Sequence, residues 1–300
     1  MPPPIAPEMP TNDALDQIHA NLASLSFLHR RAALRREGFP RFLYKFRHAE
    51  PHDDVITRLR SIIVESHLWL SHHESFNDPF DMKAYMVLDG TDRQIRERFK
   101  ALVADHSAAP RRQRKEMLGN IMNMPRDAML AHLNQTLRLS AGRAGICSFA
   151  GNPHSIVMWT HYAQNHQGVC LQFEVARDAR TFAFAQQVHY RDEYPRVNFT
   201  VREDMANHLY TVMTRKHPGW EYEGEWRIIH LQGANSMLPF RPEALVRVVF
   251  GCRSSPTLVD SVRGLLSERR AAGLPAISLY QCSPAPKKYR LIAQRISSTP

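Results

Sequence analysis

The chain has 300 residues, 43% of them apolar and 23% charged, enough to bury a full core as one large domain or two small ones. Lys and Arg outnumber Asp and Glu by 39 to 29, a formal charge of +10 that favours acidic partners such as nucleic acid, nucleotide phosphates or an anionic surface. Cys147, Cys170, Cys252 and Cys282 form no CxxC pair, which excludes a Cys-rich zinc module and a dense disulfide framework, and no apolar run reaches the roughly 18 residues of a membrane span.

Residues 1–11 contain Pro2, Pro3, Pro4, Pro7 and Pro10, with no basic stretch followed by an apolar run, so a disordered tail is expected there rather than a secretory signal. Widely spaced free cysteines and no signal point to a cytoplasmic protein. Residues 12–39 read as an N-terminal helical arm: Asp13 to Glu37 is rich in Ala, Leu and Arg, lacks Gly and Pro, and is stopped by Gly38 and Pro40. Phe42 to Arg47 alternates Phe42, Tyr44 and Phe46 with Leu43, Lys45 and Arg47, as a strand would. Val55, Leu59, Ile62 and Ile63 predict an amphipathic helix, followed by a short strand at His67 to Leu70 and a polar loop from Ser71 to Asp81.

Residues 91–140 form a helical insertion, with Ile95, Phe99, Leu102 and Val103 on one stripe. Strands are expected at Gly145 to Phe149, Val169 to Phe173, Val188 to Tyr190, Trp226 to Leu231, Leu245 to Phe250, Ile277 to Gln281 and Tyr289 to Ala293. Helices are expected near Ser155 to Ala163, over Val201 to Met213, and over Pro256 to Arg270. Strands and helices lack a βα rhythm and no GxGxxG is present, so residues 40–300 read as a single α+β domain with a mixed, mostly antiparallel sheet. The basic runs Arg30, Arg31, Arg35, Arg36 and Arg111, Arg112, Arg114, Lys115 are the pattern of solvated helix faces.

Four segments are too polar for their surroundings. In Tyr44-Lys45-Phe46-Arg47 two cations share one face of a core-like strand, and buried cations call for a phosphate or carboxylate beside them. Ser75 to Asp81 (Ser-Phe-Asn-Asp-Pro-Phe-Asp) reads as a turn anchored by Phe76 and Phe80, or as a pocket wall in which Asn77, Asp78 and Asp81 bind ribose hydroxyls or Mg²⁺. Cys147-Ser148-Phe149 precedes Met158 to Tyr162, which sets Trp159 and Tyr162 three apart on a helix, while His161 and His166 have the wrong spacing for zinc on one helical face. Last, Trp220 to Arg227 carries Glu221, Glu223 and Glu225, which share one face if extended and then need a cation opposite; Lys45, Arg47 and Arg227 are the candidates.

Taken in order, Tyr44 to Arg47, Asn77 to Asp81, Cys147 to Phe149, Met158 to Ala163 with Gly168 to Cys170, and Trp220 to Arg227 resemble the motifs of a bacterial family, domain of unknown function 2971, across roughly residues 40 to 295. The order of a basic or aromatic first strand, a Ser-bearing second strand and a Glu-X-Glu segment is further similar to ADP-ribosyltransferases, with Ser-Phe-Ala here in place of their Ser-Thr-Ser. That likeness implies an NAD⁺ pocket. Lys45 or Arg47 would hold phosphate or ribose, and Ser148 would support the nicotinamide side. Trp159 or Tyr162 would stack on a ring, with Asn77, Asp78, His161 and Arg227 also lining the site. Glu225 would bond the ribose 2′-hydroxyl and Glu223 would orient a protein or nucleic-acid acceptor. The competing classes are a Mg²⁺-dependent nuclease or phosphoesterase using Asp78, Asp81, Glu223 and Glu225, and a non-catalytic nucleotide- or protein-binding module.

Overall fold

The computed structural model describes residues 21–22, 24–106, 109–201 and 205–297. The tail at 1–11 and the first part of the expected arm lie outside them. In chain order the elements are α1 (Phe27–Arg36), β1 (Phe42–Arg47), α2 (His52–Ile63), β2 (His67–Leu70), β3 (Tyr85–Val87), α3 (Asp92–His106), α4 (Arg111–Met122), α5 (Arg126–Gly142), β4 (Gly145–Ala150), α6 (Ile156–Tyr162), β5 (Val169–Glu174), α7 (Ala179–Phe182), β6 (Gln186–Gln187), β7 (His189–Tyr190), β8 (Arg196–Asn198), α8 (Met205–Met213), β9 (Arg215–Lys216), β10 (Glu225–His230), β11 (Ser236–Pro239), β12 (Leu245–Phe250), α9 (Pro256–Ala271), β13 (Ser278–Pro284) and β14 (Leu291–Ile296). The fold is α+β with a mostly antiparallel principal sheet. The chain divides into two compact units, one made of the described residues up to Ser71, Gly145–Val188 and those from Gly219 on, the other of His72–Ala144 and His189–Pro218.

The first unit is built on an eight-stranded sheet in the order β14-β13-β12-β5-β1-β4-β10-β6. Every neighbouring pair is antiparallel except β12 with β13, which are joined through α9 as a crossover requires. Alternation gives the sheet two unlike sides. Leu43, Cys147, Phe149, Leu171, Phe173, Ile228, Val248 and Phe250 pack into the main core together with Val55, Leu59, Ile62 and Ile63 of α2, the stripe expected from the sequence. The other side carries Phe46, Ala150, Cys170, Val249 and Cys282, covered by Met158 and Trp159 of α6, with Tyr44, Tyr162, Tyr222 and Tyr280 partly buried around them. We refer to these as the core face and the tyrosine face. β5 is buried along its whole length because both faces are covered there.

Where β1 ends, the backbones come very close: a Cβ on Gly168 would collide with the Arg47 carbonyl oxygen, so only glycine fits. In the second unit, α3, α4 and α5 form the helical insertion expected over residues 91–140, beside the short parallel pairs β3 with β8 and β7 with β9. β7 falls within the strand expected at Val188 to Tyr190, whereas β3, β8 and β9, of two or three residues, carry too little alternation to be read from sequence. In the N-terminal arm the described residues 21, 22 and 24 are helical, and α1 starts afresh at Phe27 after a break at Leu25 and Ser26, because the Ser26 side chain caps the new helix by accepting the His29 N–H.

Candidate functional site

The Glu-X-Glu segment departs from an extended chain. Pro218–Glu223 forms a 3₁₀ turn, Gly224 adopts φ +49°, and the strand begins at Glu225, so Glu221 stays exposed while Glu223 and Glu225 are both buried. The expected common face of three glutamates is therefore replaced by two buried carboxylates delivered from a turn and a strand end. Gly224 makes this possible, since its positive φ favours glycine and its carbonyl accepts the Gly151 N–H at 2.9 Å.

Each carboxylate is held by a named partner on the tyrosine face. Arg227, two residues on and on the same side of β10, donates from Nε to Glu225 Oε1 at 2.8 Å and from its terminal nitrogen to Oε2 at 2.9 Å. Both side chains are essentially out of solvent, so this is a charge-assisted pair with its geometry fixed at two points. Tyr162, at the end of α6, donates its hydroxyl to Glu223 Oε1 at 2.5 Å. Strand register aligns the rest: Glu225 opposes Ala150, Ala150 opposes Tyr44, Tyr44 opposes Gln172 and Gln172 opposes Arg247, one row across five strands. Ser148 opposes Arg227 in the next row and is half-buried.

Of the three cations named as candidates opposite the glutamates, Arg227 meets Glu225. Lys45 and Arg47 alternate onto the core face with Leu43. Lys45 donates its hydrogen bond to a neutral acceptor, the Ser148 carbonyl at 2.8 Å, with its ammonium 5.1 Å from the Phe149 ring centroid, and the Glu225 carboxylate acts on it electrostatically. Burial pushes its pKa down to about 8, partly opposed by the neighbouring Cys147 thiol and reinforced by the Arg47 charge. Arg47 is likewise held below the usual guanidinium range, by burial above all and by Arg58, and its Nε has no hydrogen-bond partner.

Trp159 is fully buried: its indole N–H donates to the Pro153 carbonyl at 2.8 Å, Phe46 meets it edge-on at 5.2 Å and His166 stacks on it at 6.2 Å. Its ring is thus part of the core, and the aromatic rings accessible around the carboxylates are Tyr162 and Tyr222, the latter 6.3 Å from exposed His161 and 6.0 Å from Trp220. Tyr44, Tyr222 and Tyr280 are not among the site residues expected from the sequence; the signal for Tyr44 and Tyr280 is their alternation with buried neighbours on β1 and β13.

Asn77 and Asp78 belong to the second unit. Asp78 closes a turn onto the Phe80 N–H at 2.9 Å, Asp81 caps the Met82 N–H at 2.9 Å, and Asp81 lies 3.9 Å from Lys216. Asp78 keeps one buried oxygen without a hydrogen-bond partner. The turn reading is right about the capping but not about both anchors, because Phe80 is 62% exposed. Among the described residues no group of three or more His, Cys, Asp or Glu is placed to hold a metal ion, and no helix is long and apolar enough to cross a membrane.

Sheet and site together define an α+β protein whose two buried glutamates face a tyrosine-rich side of an eight-stranded sheet. Residues 158–228, from α6 into β10, match the model of a family described as protein of unknown function (DUF2971), which supports the membership implied by the motifs. No curated protein and no solved structure matches the chain.

Proposed function

We propose that the tyrosine face binds the nicotinamide-ribose end of NAD⁺ and that the protein is an ADP-ribosyltransferase-like enzyme acting on a protein or nucleic-acid acceptor. The observation that carries this reading is the pair of buried, hydrogen-bonded carboxylates, Glu225 held by Arg227 and Glu223 by Tyr162. Arg227 fixes the plane of the Glu225 carboxylate, and a carboxylate is the acceptor that a ribose hydroxyl calls for. NAD⁺ supplies the leaving group, as the bond from ribose C1′ to the nicotinamide nitrogen breaks with its electron pair going to nicotinamide. A fixed negative charge beside C1′ then stabilises the positive charge that develops there. Glu223 is suited to take the acceptor's proton as the new bond to C1′ forms, with Tyr162 holding it in place. The fit concerns the ribose end alone, since Lys45 and Arg47 project to the core face and leave the phosphate-binding role to other groups.

The test is release of nicotinamide from NAD⁺ by the wild type, Glu225→Gln and Tyr162→Phe, with urea unfolding run alongside. Glu225→Gln is expected to lose at least about 100-fold in turnover, and Tyr162→Phe, which keeps the ring, about tenfold with little change in NAD⁺ affinity. A wild type that neither binds NAD⁺ saturably nor releases nicotinamide overturns the reading, as does a folded Glu225→Gln with near-normal turnover.

A further inference from the structure

The charge of the chain is unevenly spread: after Glu268 it carries Arg269, Arg270, Lys287, Lys288, Arg290 and Arg295, and neither Asp nor Glu. Four of these six lie on the β13–β14 hairpin, whose tip is Lys287-Lys288-Tyr289-Arg290 with the Tyr289 side chain fully exposed. The hairpin forms the edge of the principal sheet, and its tyrosine-face residues continue a pattern that runs inward. Arg295 opposes Tyr280 across the β13–β14 pair, and the Arg247 guanidinium lies 4.7 Å from the Tyr280 ring centroid. Arg247 also acts electrostatically on Tyr44, whose neighbour Phe42 has its ring 6.4 Å away and the Arg41 guanidinium 4.5 Å above its own centroid. Arg41, Arg247 and Arg295 are exposed, and Phe42, Tyr44 and Tyr280 are partly exposed.

Rings on β1 and β13 and cations beside β1 and on β12 and β14 thus lie on one face, with Gln172 of β5 between Tyr44 and Arg247, over four strand spacings or roughly 19 Å. The carboxylate of Glu174, on β5 at the inner end, is engaged by Arg41 at 3.2 Å and by Arg177 at 2.7 Å. Burial raises the Tyr44 pKa, so its phenol adds no negative charge at neutral pH.

We infer that this strip, with the hairpin tip, binds single-stranded nucleic acid. Rings lying partly exposed on a sheet offer faces on which unpaired bases stack without regard to sequence, while guanidinium and ammonium groups at strand spacing meet the phosphates between them. A duplex keeps its bases inside and can use only the charges, so the rings make the strip selective for single strands. A protein surface rich in carboxylates would match the cations but would leave the rings without partners.

The measurement is fluorescence anisotropy of the full chain with labelled oligouridine, oligothymidine and a duplex of equal length, over a range of salt and without NAD⁺, so its outcome is independent of the transfer reading. Single strands are expected to bind about tenfold or more tighter than the duplex, with affinity falling as salt rises. Tyr289→Ala, whose side chain contacts nothing that folding needs, should weaken single-strand binding about tenfold and leave duplex binding unchanged. Lys287→Glu/Lys288→Glu should reduce the salt slope for both. Tighter binding of oligouridine than oligothymidine would place RNA ahead of DNA within the same inference. Equal affinity for single strand and duplex, an unaltered affinity in Tyr289→Ala, or no binding at low salt would each overturn it.

Discussion

The two faces of the principal sheet solve the same problem differently. Both bury charge, yet on the core face Lys45 bonds only a neutral carbonyl and Arg47 Nε has no hydrogen-bond partner, whereas the tyrosine face neutralises Glu225 with Arg227 through two hydrogen bonds. On the core face the cost of burial appears as depressed pKa values, softened by a carbonyl and an aromatic ring. On the tyrosine face it appears as geometry, because a charge confined by a bidentate partner cannot reorient. The difference teaches that a buried charge marks a site only when its surroundings aim it. Lys45 and Glu225 are both buried, but Glu225 is the group whose direction is fixed at two points.

The largest expected effect comes from breaking the aimed pair. Arg227→Met removes the bidentate cation from buried Glu225 and should cost about 3–5 kcal/mol in urea unfolding. Glu225→Leu/Arg227→Met, which removes both charges, should recover most of that loss, since a buried pair is worth little against a well-packed apolar one. If Arg227→Met costs less than about 1 kcal/mol, the two faces are not as different as the geometry makes them. Leu171→Ala supplies the scale from the core face, at about 2–5 kcal/mol for a fully buried side chain.

The second effect is read from pH. The Lys45 amine sits near 8 in the folded protein against 10.5 when exposed. Between those values the folded state has released the proton that the unfolded chain still holds, so raising pH through this window favours folding. The gain is complete above about pH 10.5 and is lost again as pH falls through 8, on the order of 3 kcal/mol for such a shift. Subtracting the curve of Lys45→Met isolates this contribution from the other groups that titrate in the same range. A difference curve that stays flat from pH 8 to 10.5 would mean that Lys45 is solvated and that the core face hides no charge.

Much of this contrast was legible in the sequence, and the part that was not has a definite cause. The two-residue period placed Lys45 with Arg47, and the spacing of Glu225 and Arg227 likewise put those two on one side of one strand. Which strand's charges meet which depends on cross-strand register, and register follows from packing distributed over the whole sheet. Hence the sequence could name Lys45, Arg47 and Arg227 as partners for the glutamates without choosing among them. The α2 stripe and the insertion helices were readable because their apolar spacing extends over several turns. Trp159 misled for the opposite reason: an aromatic residue on a short helix looks the same whether its ring meets a ligand or, as here, Phe46 and His166.

The smallest effect tests whether the tyrosine face is held locally or by the sheet as a whole. Ser155 caps α6 by accepting the Met158 N–H at 3.3 Å, and α6 is only seven residues long. Ser155→Ala should cost about 1 kcal/mol. The same helix carries Tyr162, which orients Glu223, and Trp159, which closes over Phe46. If the cap governs the position of Tyr162, Ser155→Ala should lower nicotinamide release as Tyr162→Phe does. If Trp159 anchors the helix against the sheet, the cap's loss should register in stability alone. The buried indole and its hydrogen bond to the Pro153 carbonyl favour the second outcome, because they tie the middle of α6 to the chain that precedes it. A turnover deficit in Ser155→Ala at unchanged stability would contradict that, and would locate control of Glu223 in the first turn of α6 rather than in the packing beneath it.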